Sequence, residues 1–321
     1  MSGDQLSVEQ LDVLLTAAVA APSMHNTQPW RFAVDGSTID VHLDGSRALP
    51  AADPSRRAMR IAAGAATFNL RCAAARLGYW SWLGLALDPD DLLARVVLEA
   101  GVPDRKLRDL YPAIRRRHTS REPLYGAGMS QDTRIRLVRA ALDEGATLTW
   151  LTDEQVDSLV DMFLDTDLRE LGDWRRTAER TRWIGGDRTF DGIPSAALGP
   201  RAGAYRTAFR DLGTRPADRI RAQAVFEARP AIAVLSTEQD EPADHVTAGL
   251  ALERVLLTAT REGVAASFLN QPLEYDDLRR AVQRATGRPG HADMIIRFGH
   301  ARPSVTTPRR PLAEFAYGGA S

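Results

Sequence analysis

The feature that most constrains this chain is a repeat centred on two alanine-rich segments. Gly64 and Gly78 stand fourteen residues apart, and so do Gly249 and Gly263. Between them Ala66 aligns with Ala251, Leu70 with Val255 and Ala74 with Ala259. Each closing glycine leads into a strand-like run. "DPDDL" at 88–92 and "EYDDL" at 274–278 follow at nearly the same offset, and then "VVLEAG" against "IIRFGH". A repeated unit of this size must use one supersecondary plan twice, and neither copy buries its apolar face alone. Ala62, Ala63, Gly64, Ala65 and Ala66 are small enough to let that helix pack closely against another element. The reading is an α+β chain of two related halves, each with a central helix on a mainly antiparallel sheet, folded as a fused pseudo-dimer. Its best cleft then lies where the halves meet. Chance similarity is the alternative.

The rest of the chain can be placed around these helices. Ser7 to Ala21 has apolar residues at helical spacing, Ser7 as N-cap with Gln10 three residues on, and Pro22 as its stop. Trp30–Val34 and Ile39–Leu43 alternate as strands around Asp35-Gly36, a strong hairpin signal. A helix is expected over Ser55–Leu77, then strands over Tyr79–Leu87 and Ala94–Glu99. A second pattern starts near Leu107: a helix end over Leu110–Arg117, a helix over Met129–Glu144, a strand over Thr147–Leu151 and a helix over Gln155–Leu171. Next come a strand over Ala231–Ser236, a helix over Ala243–Glu262, and strands over Ala265–Leu269 and Met294–Phe298. The halves are expected at 1–106 and 107–321. Residues 172–225, rich in arginine and aromatics, fit neither pattern and read as an insert.

Composition narrows the function. A net charge of −1 gives no general case for nucleic acid or an anionic membrane. Forty arginines stand against one lysine, Lys106, which a GC-rich genome accounts for in the main. The single cysteine, Cys72, excludes an internal disulfide framework and a thiolate metal cluster. No signal-peptide pattern or run of 18 apolar residues appears, so a cytoplasmic protein is expected. The six histidines show no zinc spacing, and no metal is expected. GxGxxG, GxxxxGK[ST] and GxSxG motifs are absent.

Three segments compete to carry chemistry. "AAPSMHNTQPWRF" at 20–32 stacks short neutral hydrogen-bonding groups at a helix-to-strand turn and suits the neutral polar edge of a ring. "RRRHTSR" at 115–121 and "TTPRRPL" at 306–312 concentrate arginine with hydroxyls, which suits a phosphate. The alternatives are a self-capped turn and a solvated basic face.

Together the segments resemble the nitroreductase superfamily. "APSMHNTQPWRF" resembles its flavin-contacting turn, A-P-S-S-x-N-x-Q-P-W-x-F. "RHTSR" resembles its R-R-S-x-R phosphate and ribityl motif, and "TPRRPLAEF" its C-terminal K-P-R-x-P-L-E-E segment. The order looks most like the Acg-type branch, and the resemblance spans essentially the whole chain. It implies a nitroreductase-like fold and one FMN per chain, because the first half lacks an arginine–serine motif and the second lacks an APSxxN turn.

It further implies that Ser23 and Asn26 bind the flavin with Met24 as an apolar neighbour. Arg117, Thr119 and Arg121 would hold the phosphate and ribityl chain with His118 beside them. Arg309, with Arg310, would complete the clamp, and Leu269 and Asn270 would place backbone donors near flavin N5. No side chain is assigned as acid or base, because the flavin carries the chemistry. The implied activity is NAD(P)H-dependent reduction of a nitro, quinone or similar acceptor. The alternative is an FMN-storing protein under a closed lid, with the lid expected at 172–225. The expected partners are a small-molecule acceptor, with no nucleic acid and no membrane, and the expected state is a monomeric pseudo-dimer or weak homodimer.

Overall fold

A computed structural model describes residues 5–86, 91–124, 129–203, 212–213, 218, 220–302 and 305–317. In chain order, α1 (Val8–Val19) leads to the hairpin β1 (Trp30–Asp35) and β2 (Thr38–Leu43). Then come α2 (Arg57–Arg76), β3 (Tyr79–Leu85), β4 (Leu92–Ala100), α3 (Arg105–Ile114), α4 (Gln131–Leu142), β5 (Thr147–Trp150), α5 (Asp153–Leu171) and α6 (Trp174–Trp183). The short pair β6 (Arg201–Ala202) and β7 (Gln223–Ala224) precedes β8 (Ala231–Thr237), α7 (Pro242–Arg261), β9 (Ala265–Phe268), α8 (Asp276–Ala285), β10 (His291–Gly299) and β11 (Ala316–Tyr317). Among the described residues no helix is long and apolar enough to cross a membrane.

Local chemistry explains the main elements. Ser7 caps α1 through a reciprocal capping box with Gln10. Asp35 pairs with Thr38 across a tight turn that puts Gly36 at φ 57°. α2 and α7, of 20 residues each, are buried over most of their length. Gly78 and Gly263, at φ 91° and 71°, end them and lead into β3 and β9.

The two glycines that align in the repeat meet in space. A Cβ on Gly64 would lie 2.3 Å from the Val246 carbonyl oxygen and 3.0 Å from the Gly249 Cα. One on Gly249 would lie 2.1 Å from the Ile61 oxygen and 2.8 Å from the Gly64 Cα. α2 and α7 therefore cross backbone against backbone, and only glycine fits at either position.

Each helix lies on its own sheet. The first runs β11-β1-β2-β4-β3, with its four long strands antiparallel and β11 parallel to β1. The second runs β5-β8-β10-β9, antiparallel throughout. Strands that follow each central helix thus take the same two places at one edge: β4 then β3, and β10 then β9. The first core joins Leu14, Trp30, Phe32, Phe68, Leu70 and Phe315, and takes in Leu107, Leu110 and Ile114 of α3. The second joins Leu137, Leu148, Leu235, Val255 and Phe298. A further cluster of Leu159, Phe163, Val234, Val282 and Ile295 covers the other face of the second sheet. That is why β8 and β10 are buried along their length, whereas β3 alternates between half-buried and exposed.

Some expectations need adjusting. α3 begins at Arg105, earlier than the helix end expected from Leu110. "EYDDL", the counterpart of "DPDDL" in the repeat, opens a helix, α8. Most of "DPDDL", the expected end of β3 at Leu87 and several residues of the 172–225 insert lie outside the described residues.

Candidate functional site

α1 stops at Val19, and the chain turns through Pro22 into a 3-10 turn at Met24–Asn26. His25, Asn26 and Gln28 have φ of 52°, 57° and 53°. Three non-glycine residues in the left-handed region within four positions are rare, at about 1–3 kcal/mol each. The turn is therefore held by its surroundings. Gln28 N–H donates to Ser23 Oγ at 2.9 Å. Asn26 Nδ2 donates to the carbonyls of Gly192 (2.9 Å) and Pro308 (3.0 Å), while its Oδ1 accepts from Arg309 Nη1 at 3.0 Å. Gln28 donates to the Phe190 carbonyl and accepts from Arg310 N–H. The amide of Asn26, expected on the ligand, is thus spent on clasping three segments, while Ser23 and Met24 line the cavity beside it.

The second segment enters behind α3. Arg117 is buried; its Nη2 donates to the Ala20 carbonyl at 2.7 Å, and its Nε lies 3.4 Å from Glu253 Oε1. Its Nη1 has no hydrogen-bond partner among the described residues. Thr119 and Ser120 run beside β9, with Ser120 N–H donating to the Ala266 carbonyl. Arg121 donates to the Ala197 carbonyl at 3.1 Å and pairs with no carboxylate among the described residues. Burial draws its pKa down to about 10. Burial, Arg117 and Arg309 lower that of His118. Burial, Arg180 and Arg121 lower that of His25 to about 4, so both rings are neutral at pH 7.

The two C-terminal arginines differ. Arg309 lines the cavity, but its Nε donates to Val19 O, its Nη2 to Ala20 O and Ala21 O, and its Nη1 to Asn26 Oδ1, Thr307 and Pro308 O. It caps the end of α1 and pins the strained turn. Burial, with Arg117 nearby, lowers its pKa to about 9. Arg310 does not line the cavity. Its guanidinium pairs with Glu314 at 2.8 Å and lies over the Phe315 ring, so it stands apart from the clamp expected of it.

All the other expected residues line one cavity of about 230 Å³: Ser23, Met24, Asn26, Arg117, His118, Thr119, Arg121, Leu269, Asn270 and Arg309. Leu269 and Asn270 are there with a correction: the Leu269 N–H donates to the Ile295 carbonyl, so it is not a spare donor. The Asn270 side chain accepts from Ile295 N–H.

Sequence reasoning missed the opposite end. Asp53, Arg57, Glu274 and Asp293 also line the cavity. Asp53 caps α2 by accepting from Ala58 and Met59 N–H. Arg57 donates to the Asp293 and Leu273 carbonyls and lies 3.9 Å from the Asp293 carboxylate. Burial pushes Asp293 up to about 6 and Glu274 up to about 7. Asp293 was detectable as a carboxylate inside an apolar strand run; the others carry no local signal. Asp240, His245 and Asp293 converge nearby, but Arg279 bridges Asp240 and Asp293 there, so the group reads as an ion-pair network.

Part of the 172–225 insert covers the cavity. Trp183, Ile184, Ile193, Ala197 and Leu198 pack with Leu49 and Ala52, and Met24 lies against them. Ile193, Leu198, Pro200 and Ala202 line the cavity. The segment is tied at several points. Glu179 accepts from Ala51 and Ala52 N–H, Arg176 pairs with Glu274 at 2.7 Å, and Arg47 pairs with Asp191.

Comparison with known proteins places the chain among close relatives. It is 31% identical over 317 residues to "Putative NAD(P)H nitroreductase Rv3131" of Mycobacterium tuberculosis, covering 95% of this chain and 90% of the relative. It is 30% identical over 316 residues to "Putative NAD(P)H nitroreductase acg" of the same organism, covering 94% and 95%. No family model matches the chain. Among solved structures, a "putative nitroreductase" from Anabaena variabilis overlaps 92% of this chain and 74% of its own at 13% identity and a TM-score of 0.45. An FMN-bound nitroreductase from Bacteroides fragilis overlaps 62% and 94% at 15% identity and a TM-score of 0.38.

Proposed function

The chain belongs to the Acg-type NAD(P)H nitroreductase family, and on that premise we propose that it is an FMN-binding oxidoreductase that uses NAD(P)H to reduce a nitro, quinone or similar acceptor. The observation that carries this reading is the charge of the cavity. Arg121 is a largely buried cation with no carboxylate partner among the described residues, and Arg117 holds an unused guanidinium nitrogen in the same cavity. Such groups are costly without an anion. A phosphate beside them and a neutral ring edge beside Ser23, Met24 and His25 fit the residues present.

In this reading Arg117, Thr119 and Arg121, with His118, hold the phosphate and ribityl chain. Arg309 and Asn26 act indirectly, by fixing the turn that carries Ser23. Bound flavin would supply the two-electron redox chemistry. The protein's part is placement, charge and exclusion of water. We also read the chain as two related halves, 1–106 and 107–321, forming a pseudo-dimer with one FMN. The Gly64–Gly249 crossing and the matching places of β4-β3 and β10-β9 support this. A soluble cytoplasmic protein, as monomer or weak homodimer, is consistent with it.

A second reading is favoured by the ties on the insert. If residues 172–225 act as a lid that stays shut, the protein stores or sequesters FMN with little turnover. An anaerobic visible spectrum before and after NADPH separates the two. Flavin bands that bleach within seconds mark a reductase. Bands that persist with NADPH and bleach with dithionite mark a shielded store. No flavin bands after incubation with FMN would overturn both.

A further inference from the structure

Glu253 stands on α7 directly behind Arg117, and the proposed function gives it no task. It is wholly buried, and no hydrogen bond of good geometry reaches either carboxylate oxygen. Its ion-pair partner is Arg117, at 3.4 Å. Neighbouring positions on the helix, Leu252 and Val255, are ordinary apolar core. A carboxylate is an expensive occupant for such a place unless it balances something. What it faces is the end of the cavity lined by Arg117 and Arg309.

We propose that Glu253 is the resident counter-ion of Arg117 and that a phosphomonoester displaces its charge, Glu253 taking a proton from solvent as the dianion binds. This rests on the reading of that end as the phosphate end. Empty, Arg117 faces a carboxylate; occupied, Arg117 and Arg121 together offset the phosphate dianion and Glu253 is a neutral acid. Two anions cannot share one buried cation without one of them being neutralised. The surroundings allow the exchange. Burial pushes Glu253 upward, while Arg117, Asn69 and Arg309 pull it down. Of the other groups around it, Cys72 on α2 is a buried thiol, pushed up by burial. Arg254 on α7 is occupied by Glu144 and Asp143. His118, next to Arg117 in sequence, has its pKa lowered by burial, Arg117 and Arg309. Glu253 is thus a positioning residue that acts through Arg117.

The test is calorimetric titration of the full chain with FMN and with riboflavin between pH 6.5 and 8.5, in two buffers of different ionisation enthalpy. Wild type is expected to take up close to one proton per FMN at pH 8 and to lose FMN affinity about tenfold per pH unit there. It should take up none with riboflavin. Glu253→Gln is expected to abolish the uptake, to flatten the pH profile and to bind FMN about tenfold more tightly at pH 8.5, with riboflavin unchanged. Zero uptake by wild type at pH 8, which needs no variant, would overturn the proposal. So would uptake that survives in Glu253→Gln, which would belong to His118, or an equal loss of both flavins in that variant. If wild type binds neither flavin, the FMN reading falls, and the same proton count with inorganic phosphate decides the counter-ion proposal.

Discussion

At one end of the cavity Arg57 sits among Asp53, Asp293 and Glu274; elsewhere in it, Arg117 and Arg309 lie near Glu253, and Arg121 has no carboxylate partner among the described residues. In the first, Arg176 of the insert joins Glu274 at 2.7 Å and Arg279 joins Asp293 at 3.3 Å, so every cation meets an anion of the protein itself. In the second, Arg309 is saturated by carbonyls, Arg121 has one carbonyl, and Arg117 has a guanidinium nitrogen to spare. The balanced end is architecture, fastening the cover and the start of α2. On the proposed function, the unbalanced end is completed by an anion from outside. Counting arginines would not separate them; counting what each arginine already holds does.

The largest effect should come from the helix crossing on which both ends depend. Gly249→Ala places a Cβ 2.1 Å from the Ile61 carbonyl oxygen, against backbone that cannot rotate away. A loss of about 3–5 kcal/mol is expected, seen as a collapse of the denaturation midpoint. Next, Arg309→Ala frees the carbonyls of Val19, Ala20 and Ala21 and releases Asn26. About 3 kcal/mol should be lost, with increased hydrogen exchange over residues 19–28. A midpoint unchanged by this variant would return Arg309 to the ligand.

The balanced end gives a pH signature. Glu274 and Asp293 have folded-state pKa values near 7 and 6, above their ordinary values, because burial disfavours their charge. The folded state therefore binds their protons more tightly. The stabilisation is full below about pH 4 and is lost as pH rises through 6–7. For Glu274 it amounts to roughly 3 kcal/mol. The melting temperature should fall between pH 5 and 8, and Glu274→Gln should flatten that fall. A slope unchanged in the variant would mean that the Arg176–Glu274 pair is not what titrates. The smallest stability change is expected for Arg121→Met, within about 1 kcal/mol of wild type because it removes an unpaired buried charge. FMN binding should nonetheless drop by about 30-fold or more, the worth of a charge-assisted bond. A large loss of stability with FMN binding intact would reverse the contrast with Arg309.

Much of the fold was legible because its signals are local. Asp35-Gly36, the Ser7 cap and the glycines after α2 and α7 each act within a few residues, and the small residues around Gly64 marked a close helix packing without saying against what. Ten of the eleven expected site residues share one cavity. What could not be read was which polar groups remain free. Asn26 and Arg309 look like ligand contacts in a linear motif, yet their partners, Gly192, Pro308 and the carbonyls of α1, are fixed only by tertiary packing. Arg57, Glu274 and Asp293 are scattered along the chain, and no spacing links them. β11 is two residues long and owes its existence to its pairing with β1.

That last pairing has a consequence in time. β11 lies beside Phe32 and Ala33, so the first sheet is finished by residues made about 280 positions after its first hairpin. At about 5–20 residues per second, the ribosome needs roughly 15–55 s to travel from the first hairpin to the C-terminal strand. Through that interval the outer edge of β1 is open, and the Arg309 that pins the strained turn has not yet emerged. The nascent chain therefore carries a half-built site until residues 308–317 have emerged. Removing Pro308 and Arg309 with the segment that follows them would cost the N-terminal turn its clasp, more than 280 residues earlier in the chain.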